Sequence, residues 1–210
     1  MSRDHVLHKI RTALGRSEGQ PAPPLPPPLI RLPKVSVDER ISQFSKALSA
    51  LNGKTYLAAT PEDAVRYAGK IVDGRPAVAS NSRFLRDCGI DSLSTVITGV
   101  TSRPQLRELC ANAAVGISSA DYALADTGSL VMFSSTEEAR MISLLPPCHV
   151  AIIPRSRILS SLDELFTTVP LPADRSSSMV LITGPSRTAD IEQFLVRGVH
   201  GPGEIHVVIV

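Results

Sequence analysis

The stretch MVLITGPSRTADIEQFLVRGVHGPGEIHVVIV, Met179 to Val210, decides the fold class. An apolar run, MVLIT, breaks on Gly184-Pro185. A segment with Ile191, Phe194 and Leu195 at helical spacing follows and stops at Gly198. After Pro202 the chain returns to a second apolar run, EIHVVIV. Short apolar runs without polar alternation are what strands buried on both faces show. The segment therefore reads as strand, helix over Thr188–Arg197, and strand. Periodicity leaves open whether the last strand pairs parallel or antiparallel.

The same rhythm extends upstream. Ser36-Val37-Asp38-Glu39 has the spacing of a capping box, and the helix it opens carries Ile41, Phe44, Leu48 and Leu51 and ends at Gly53. TYLAAT reads as a strand, and Thr60-Pro61 as an N-cap with proline at the first helical position. Val65, Ala68 and Ile71 mark that helix's buried face. RPAVAS, STVITG, AAVGI, SLVMFSS and HVAIIP read as further strands. Helical segments are expected after Asn81-Ser82, over Ser102–Ala113, in SSADYALADTG, over Glu137–Leu144 and over Ser161–Phe166. Alternation of this kind predicts an α/β domain with a mostly parallel sheet covered on both faces.

Residues 36–210 are expected to form that domain. Residues 1–15 predict an amphipathic helical arm, with Val6, Leu7, Ile10 and Leu14 at helical intervals. Residues 16–35 include PAPPLPPPLIRLP, whose prolines fix φ and remove donors, so they read as an extended linker. Aromatics are 4% of the chain and tryptophan is absent, so small aliphatics must fill the core. The 22 basic and 20 acidic residues are spread along the chain without a basic stripe, which argues against nucleic acid as a partner. Cys88, Cys110 and Cys148 are scattered. An iron–sulfur cluster needs about four closely placed thiolates, so no cluster, other metal site or disulfide is expected in this chain. His5 and His8 share a helical face and read as solvated. With neither a signal peptide nor an apolar run long enough to span a membrane, the expected location is the cytoplasm.

Ligands of open α/β sheets bind outside the carboxyl ends of the strands. That places interest on Gly184, Ser186, Arg187 and Thr188, the turn between MVLIT and the expected helix. Thr188 or Ser186 can cap the helix, Asp190 complements its dipole, and Gly198 ends it. Arg187, a cation beside a helix N-terminus, makes an anion site, or else pairs with Asp190 or Asp126. His200 follows in a tight Gly-Pro turn, as a general base beside such a site or as a structural loop residue. Asp126, Thr127, Gly128 and Ser129 have the chemistry of a turn leading into a strand, and they join Gly184, Ser186, Arg187 and Thr188 as candidate ligand-binding residues. Arg140, Arg155 and Arg157, in EEARMISLLPPCHVAIIPRSR, read as surface charges. Neither a dinucleotide or phosphate-loop fingerprint nor a nucleophile elbow is present.

Three segments together, AVGISSADYALADTGSLVMFSS, RMISLLPPCHVAIIP and LITGPSRTADIEQFLVRGVHGPGEIHVVIV, resemble the lactate-utilization (LUD) domain family. The similarity covers about Ser36 to Val210. It implies a three-layer α/β sandwich similar to the sugar-phosphate isomerase, coenzyme A transferase and folate cyclo-ligase fold. It also implies a role in a multi-protein system oxidising L-lactate to pyruvate, whose partner proteins carry the iron–sulfur clusters. On that reading this chain has no cofactor of its own. If it binds a small carboxylate, loop position and residue type, rather than the resemblance, make Arg187 the clamp, with Ser186 and Thr188 beside it, and His200 the group that takes the hydroxyl proton. The other open reading is an independent enzyme or binding module for a phosphorylated or coenzyme A-type anion.

Overall fold

Ser36 starts the body of the domain as its spacing predicts: Glu39 N donates to Ser36 Oγ at 3.2 Å, and Ser36 N donates to Glu39 Oε2 at 2.9 Å. The helix it caps, α2 (Val37–Ala50), follows an N-terminal helix α1 (Arg3–Ala13). Ser36→Ala removes one half of the reciprocal pair. It is expected to cost about 1 kcal/mol, read as a shifted denaturation midpoint at unchanged slope. The computed structural model describes residues 2–17, 19–21, 24, 26, 35–189 and 195–210; most of the proline-rich stretch lies outside these.

After α2 come β1 (Lys54–Leu57), α3 (Pro61–Val72), β2 (Ala77–Ala79), α4 (Arg83–Cys88), β3 (Val96–Ile97), α5 (Arg103–Asn112) and β4 (Val115–Ser119). An excursion through β5 (Tyr122–Leu124) and β6 (Ser129–Phe133) precedes α6 (Arg140–Leu144) and β7 (Cys148–Ile153). Then follow β8 (Ile158–Leu159), α7 (Leu162–Thr168), α8 (Pro172–Arg175), β9 (Met179–Ile182), β10 (Arg187–Ala189), β11 (Leu195–Arg197) and β12 (Glu204–Ile209).

Six strands make one wholly parallel sheet in the order β1-β12-β7-β4-β2-β3. EIHVVIV therefore pairs parallel on both sides, with Ile205 opposite His149 and Lys54 opposite His206. Its side chains alternate between two cores. Val208 joins Val150, Ile152 and Ile117 beneath α3 and α4, while Ile205, Val207 and Ile209 join Phe44 and Leu48 of α2. Helices α5 and α6 cover the same face as α2, packing Leu106, Cys110 and Ile142 onto Val78. Helices on both faces of a parallel sheet give the expected α/β class.

Four further strands form a second sheet, in the order β8-β5-β6-β9. MVLIT is one of them: β9 pairs antiparallel with β6, so its loop does not belong to the carboxyl edge of the parallel sheet. SSADYALADTG is not a helix. Tyr122, Ala123 and Leu124 are all buried as β5 between β6 and β8, and burial in a sheet overrides the helical preference of alanine. The helix expected over Thr188–Arg197 is replaced by an antiparallel pair, with Arg187 opposite Arg197, Thr188 opposite Val196 and Ala189 opposite Leu195. Residues 190–194, including Asp190, lie outside the described ones. The pair forms because Ser186 N donates to Pro202 O at 2.8 Å and Gly198 N to Ser186 O at 3.1 Å, closing the two ends together. Helix α6 begins only at Arg140, since Ser135 Oγ holds the Glu137 and Glu138 amides in a turn, at 3.2 and 2.9 Å. No helix among the described residues is long and apolar enough to cross a membrane.

Candidate functional site

The segments singled out in the sequence converge at the C-terminal end of α2. Ser129 Oγ bonds Thr127 Oγ1 and Thr183 Oγ1, each at 2.8 Å, tying the turn before β6 to the end of β9. Gly128 has φ +67°, and a Cβ there would stand 2.5 Å from Leu48 N; at Gly184, φ +78°, a Cβ would stand 2.8 Å from Leu51 Cβ. Only glycine meets both demands. Arg187 Nη2 donates to the Leu51 carbonyl, an orphan acceptor at the negative end of α2. The guanidinium thus serves a helix C-terminus in place of the expected helix N-terminus. Asp126 and Thr127 are exposed, as is His200 on the loop joined to Ser186. The structure brings these residues into one region, and it positions them by turn and cap bonds.

The carboxyl edge of the parallel sheet holds a different group. The chain leaves β2 through α4 on one face and leaves β4 for β5 and β6 on the other. Adjacent strands whose connections diverge in this way leave a crevice, the usual ligand position of such sheets. Glu138 fills it. Its Oε1 accepts from Ser80 Oγ at 2.9 Å, just after β2, and from Ser119 N at 3.1 Å, at the end of β4; Ser119 Oγ bonds it as well. Its Oε2 is buried without a partner among the described residues.

Burial raises the Glu138 pKa to about 7, the charge of Asp121 adding to the effect, while the Ser119 and Ser80 bonds oppose it. Loss of hydration outweighs the three hydrogen bonds, all of which reach Oε1. Near neutral pH this carboxyl both gives and takes a proton, the property required of a general acid or base.

Ser119 also lines a cavity of about 230 Å³ with Phe84, Ala120, Asp121, Pro154 and Arg157. Asp121 Oδ2 accepts from Phe133 N at 2.8 Å and Oδ1 from Arg175 Nη2 at 2.6 Å, so its charge is matched. Arg157 is exposed, its guanidinium carbon 5.3 Å from the Tyr122 ring centre. It has the cation–π contact and no carboxylate of its own among the described residues. Arg155, by contrast, is structural: its Nη2 donates to Ala58 O at 3.1 Å, across the ends of β1 and β7. No sequence signal singles out Glu138, and Arg157, exposed as expected of a surface charge, gains its interest only from the cavity it lines.

Two buried histidines escaped the sequence reading as well. His149 Nε2 bonds Ser118 Oγ at 2.8 Å, its Nδ1 has no partner among the described residues, and burial lowers its pKa to about 4, so the ring stays neutral. His206, at the amino end of β12, bonds Tyr67 Oη at 2.9 Å and Glu204 Oε1 at 3.0 Å. Cys148, Glu204 and His206 present donor atoms within 4.8 Å of one another. Lys54 already pairs with Glu204, which matches its charge without a metal. The three cysteines are buried free thiols.

Comparison with known proteins agrees with this architecture. The sequence profile of the LUD domain matches residues 41–210. Lactate utilization protein C of Halalkalibacterium halodurans is 41% identical over 49% of this chain and 46%, about half, of its own length. The protein of the same name from Oceanobacillus iheyensis is 27% identical over 100% of this chain and 98% of its own. A crystal structure of a DUF162 family protein from Deinococcus radiodurans matches with TM-score 0.64 at 14% identity, over 84% of this chain and 99% of that one, and so shares its fold. With the profile spanning both the parallel sheet and the excursion strands, the chain belongs to the LUD domain family.

Proposed function

We propose that this chain takes part in lactate utilization, as the relatives' name suggests, and is the component without a redox centre in a multi-protein system oxidising L-lactate to pyruvate. The observation that carries the mechanism is Glu138, held near pKa 7 in the crevice between β2 and β4 beside an arginine-bearing cavity. A cavity of about 230 Å³ suits a small hydroxy acid rather than a nucleotide. Arg157 pairs with the carboxylate, and Glu138, relayed by Ser119, takes the hydroxyl proton.

Oxidation removes two electrons and two protons from lactate. Glu138 receives one proton, and the other passes to solvent. The electrons go to an acceptor in a partner, for which iron–sulfur proteins are the class proposed. The dispersed, buried thiols of this chain support placing the clusters elsewhere.

The test is lactate-dependent dye reduction by the complex purified anaerobically from lactate-grown cells. Glu138→Gln is expected to lower the rate at least 100-fold, and Arg157→Ala to raise KM for lactate. Arg187→Ala, at the end of α2, is expected to leave both within about threefold. Full activity in the first two variants would overturn this site. Loss in Arg187→Ala alone would move it to the end of α2, and an inactive complex lacking iron–sulfur proteins would favour an independent anion-binding role.

A further inference from the structure

On the other side of the Glu138 turn lies a larger cavity, about 560 Å³, between α5, α6 and residues 134–136. Arg103 opens α5 and Arg140 opens α6, and both side chains line it. Neither guanidinium has a hydrogen-bond or ion-pair partner among the described residues, and no acidic side chain lines the space among them. Ser134 lines it too, and its hydroxyl is buried without a partner. Rotation about its Cα–Cβ bond can turn this hydroxyl toward an anion seated against the cavity wall.

The remaining lining is apolar. Leu106, 7% exposed, forms the floor, and Met141 of α6 stands beside it. Leu144 and Leu145 also line the cavity, at 37% and 48% exposure. Two free cations and an orphan hydroxyl above an apolar floor define an amphiphilic anion. The volume lies within the usual range for small-molecule sites, whose walls are mostly apolar with a few convergent polar groups.

We propose that this cavity binds an organic anion with an aliphatic or aromatic body, its carboxylate or phosphate head held by Arg103, Arg140 and Ser134. This occupant is distinct from the small hydroxy acid assigned to the 230 Å³ cavity, since Ala139 borders one space and Ser119 the other. The two meet at the turn that carries Glu138, whose amide donates to Ser135 Oγ at the wall of the larger cavity.

The test is isothermal titration of the full chain with hexyl phosphate, hexanoate, hexanol and inorganic phosphate. One equivalent of hexyl phosphate or hexanoate is expected to bind, the tighter of the two identifying the head group, while hexanol and inorganic phosphate bind at least tenfold more weakly. Arg103→Ala and Arg140→Ala, at exposed positions that leave the core intact, are each expected to weaken binding about tenfold. Leu106→Ala is expected to weaken the hexyl ligands and leave inorganic phosphate unchanged; if that variant fails to fold, Met141→Ala serves instead. Equal binding of hexanol, binding indifferent to both arginines, or no heat with either hexyl anion at millimolar concentration would overturn the proposal. Lactate titrated in the presence of saturating hexyl phosphate separates the two sites: undiminished lactate binding is expected, and competition would merge them.

Discussion

Alanine in place of Gly116 is expected to unseat α6 and lower stability by about 3 kcal/mol or more, a fall in Tm of roughly 6–12 °C for a chain of this size. Gly116 sits in the middle of β4, opposite Val78 on one side and His149 on the other. A Cβ at this position would stand 1.9 Å from the carbonyl oxygen of Ile142 and 3.0 Å from Pro146 Cγ. Carbon and oxygen do not normally approach closer than about 3.3 Å. The obstruction is backbone, so no rotamer change relieves it. Helix α6 must lift by more than about 1 Å, taking Ile142, 2% exposed, away from Val78, Leu106 and Cys110. Thermal unfolding followed by circular dichroism reads the effect, and an unchanged Tm would mean that α6 does not rest on β4. The same movement displaces Arg140 and Met141, so affinity for hexyl phosphate should fall with stability.

The alternation of strands and helices was legible because it rests on local signals. A reciprocal cap at Ser36 and Glu39, a threonine–proline start at Thr60, and continuous apolar runs for β4, β7 and β12 all act within a few residues. The errors came where distant contacts decide. Ile191, Phe194 and Leu195 have helical spacing, yet a bond from Ser186 N to Pro202 O, sixteen positions on by sequence number, draws the described flanks into an antiparallel pair. Helical preference in SSADYALADTG yields to the burial of Tyr122, Ala123 and Leu124 between two strands. Two of the three motifs carrying the family resemblance proved to mark where the second sheet meets the end of α2: Gly128 and Gly184 permit the approach, and Arg187 caps the helix.

The crevice left weaker traces. Glu138 is one of two adjacent glutamates that suit the first turn of a helix, and nothing in their spacing separates them. Only the fold reveals that one carboxylate meets serines 58 and 19 positions away. The same holds for Cys148 and His206, which the β7–β12 ladder brings together. Strand-end residues of a parallel sheet become neighbours through pairing order, which a single sequence does not encode locally.

Glu138→Gln provides the sharpest test of that crevice, because stability and activity should move in opposite directions. The ordinary pKa of a glutamate is 4.5, and burial holds this one at about 7. Between those values the unfolded chain has released the proton that the native state still binds. Stability is therefore full below about pH 4.5, declines as pH rises, and levels off above about pH 7, by about 3 kcal/mol in all. Glutamine cannot ionise, so denaturation midpoints of the variant should lack this decline, and the variant should gain on the native protein by about that amount at pH 8 relative to pH 4. A parallel pH profile in both proteins would show that Glu138 is hydrated and ordinary. In the complex, native activity should rise through an apparent pKa near 7 as the carboxylate becomes able to accept a proton. The glutamine variant, more stable above pH 7, should be nearly inactive there. A merely structural glutamate would lose its stability penalty without that loss of rate, so the pairing of gain with loss separates a poised base from a buried strut.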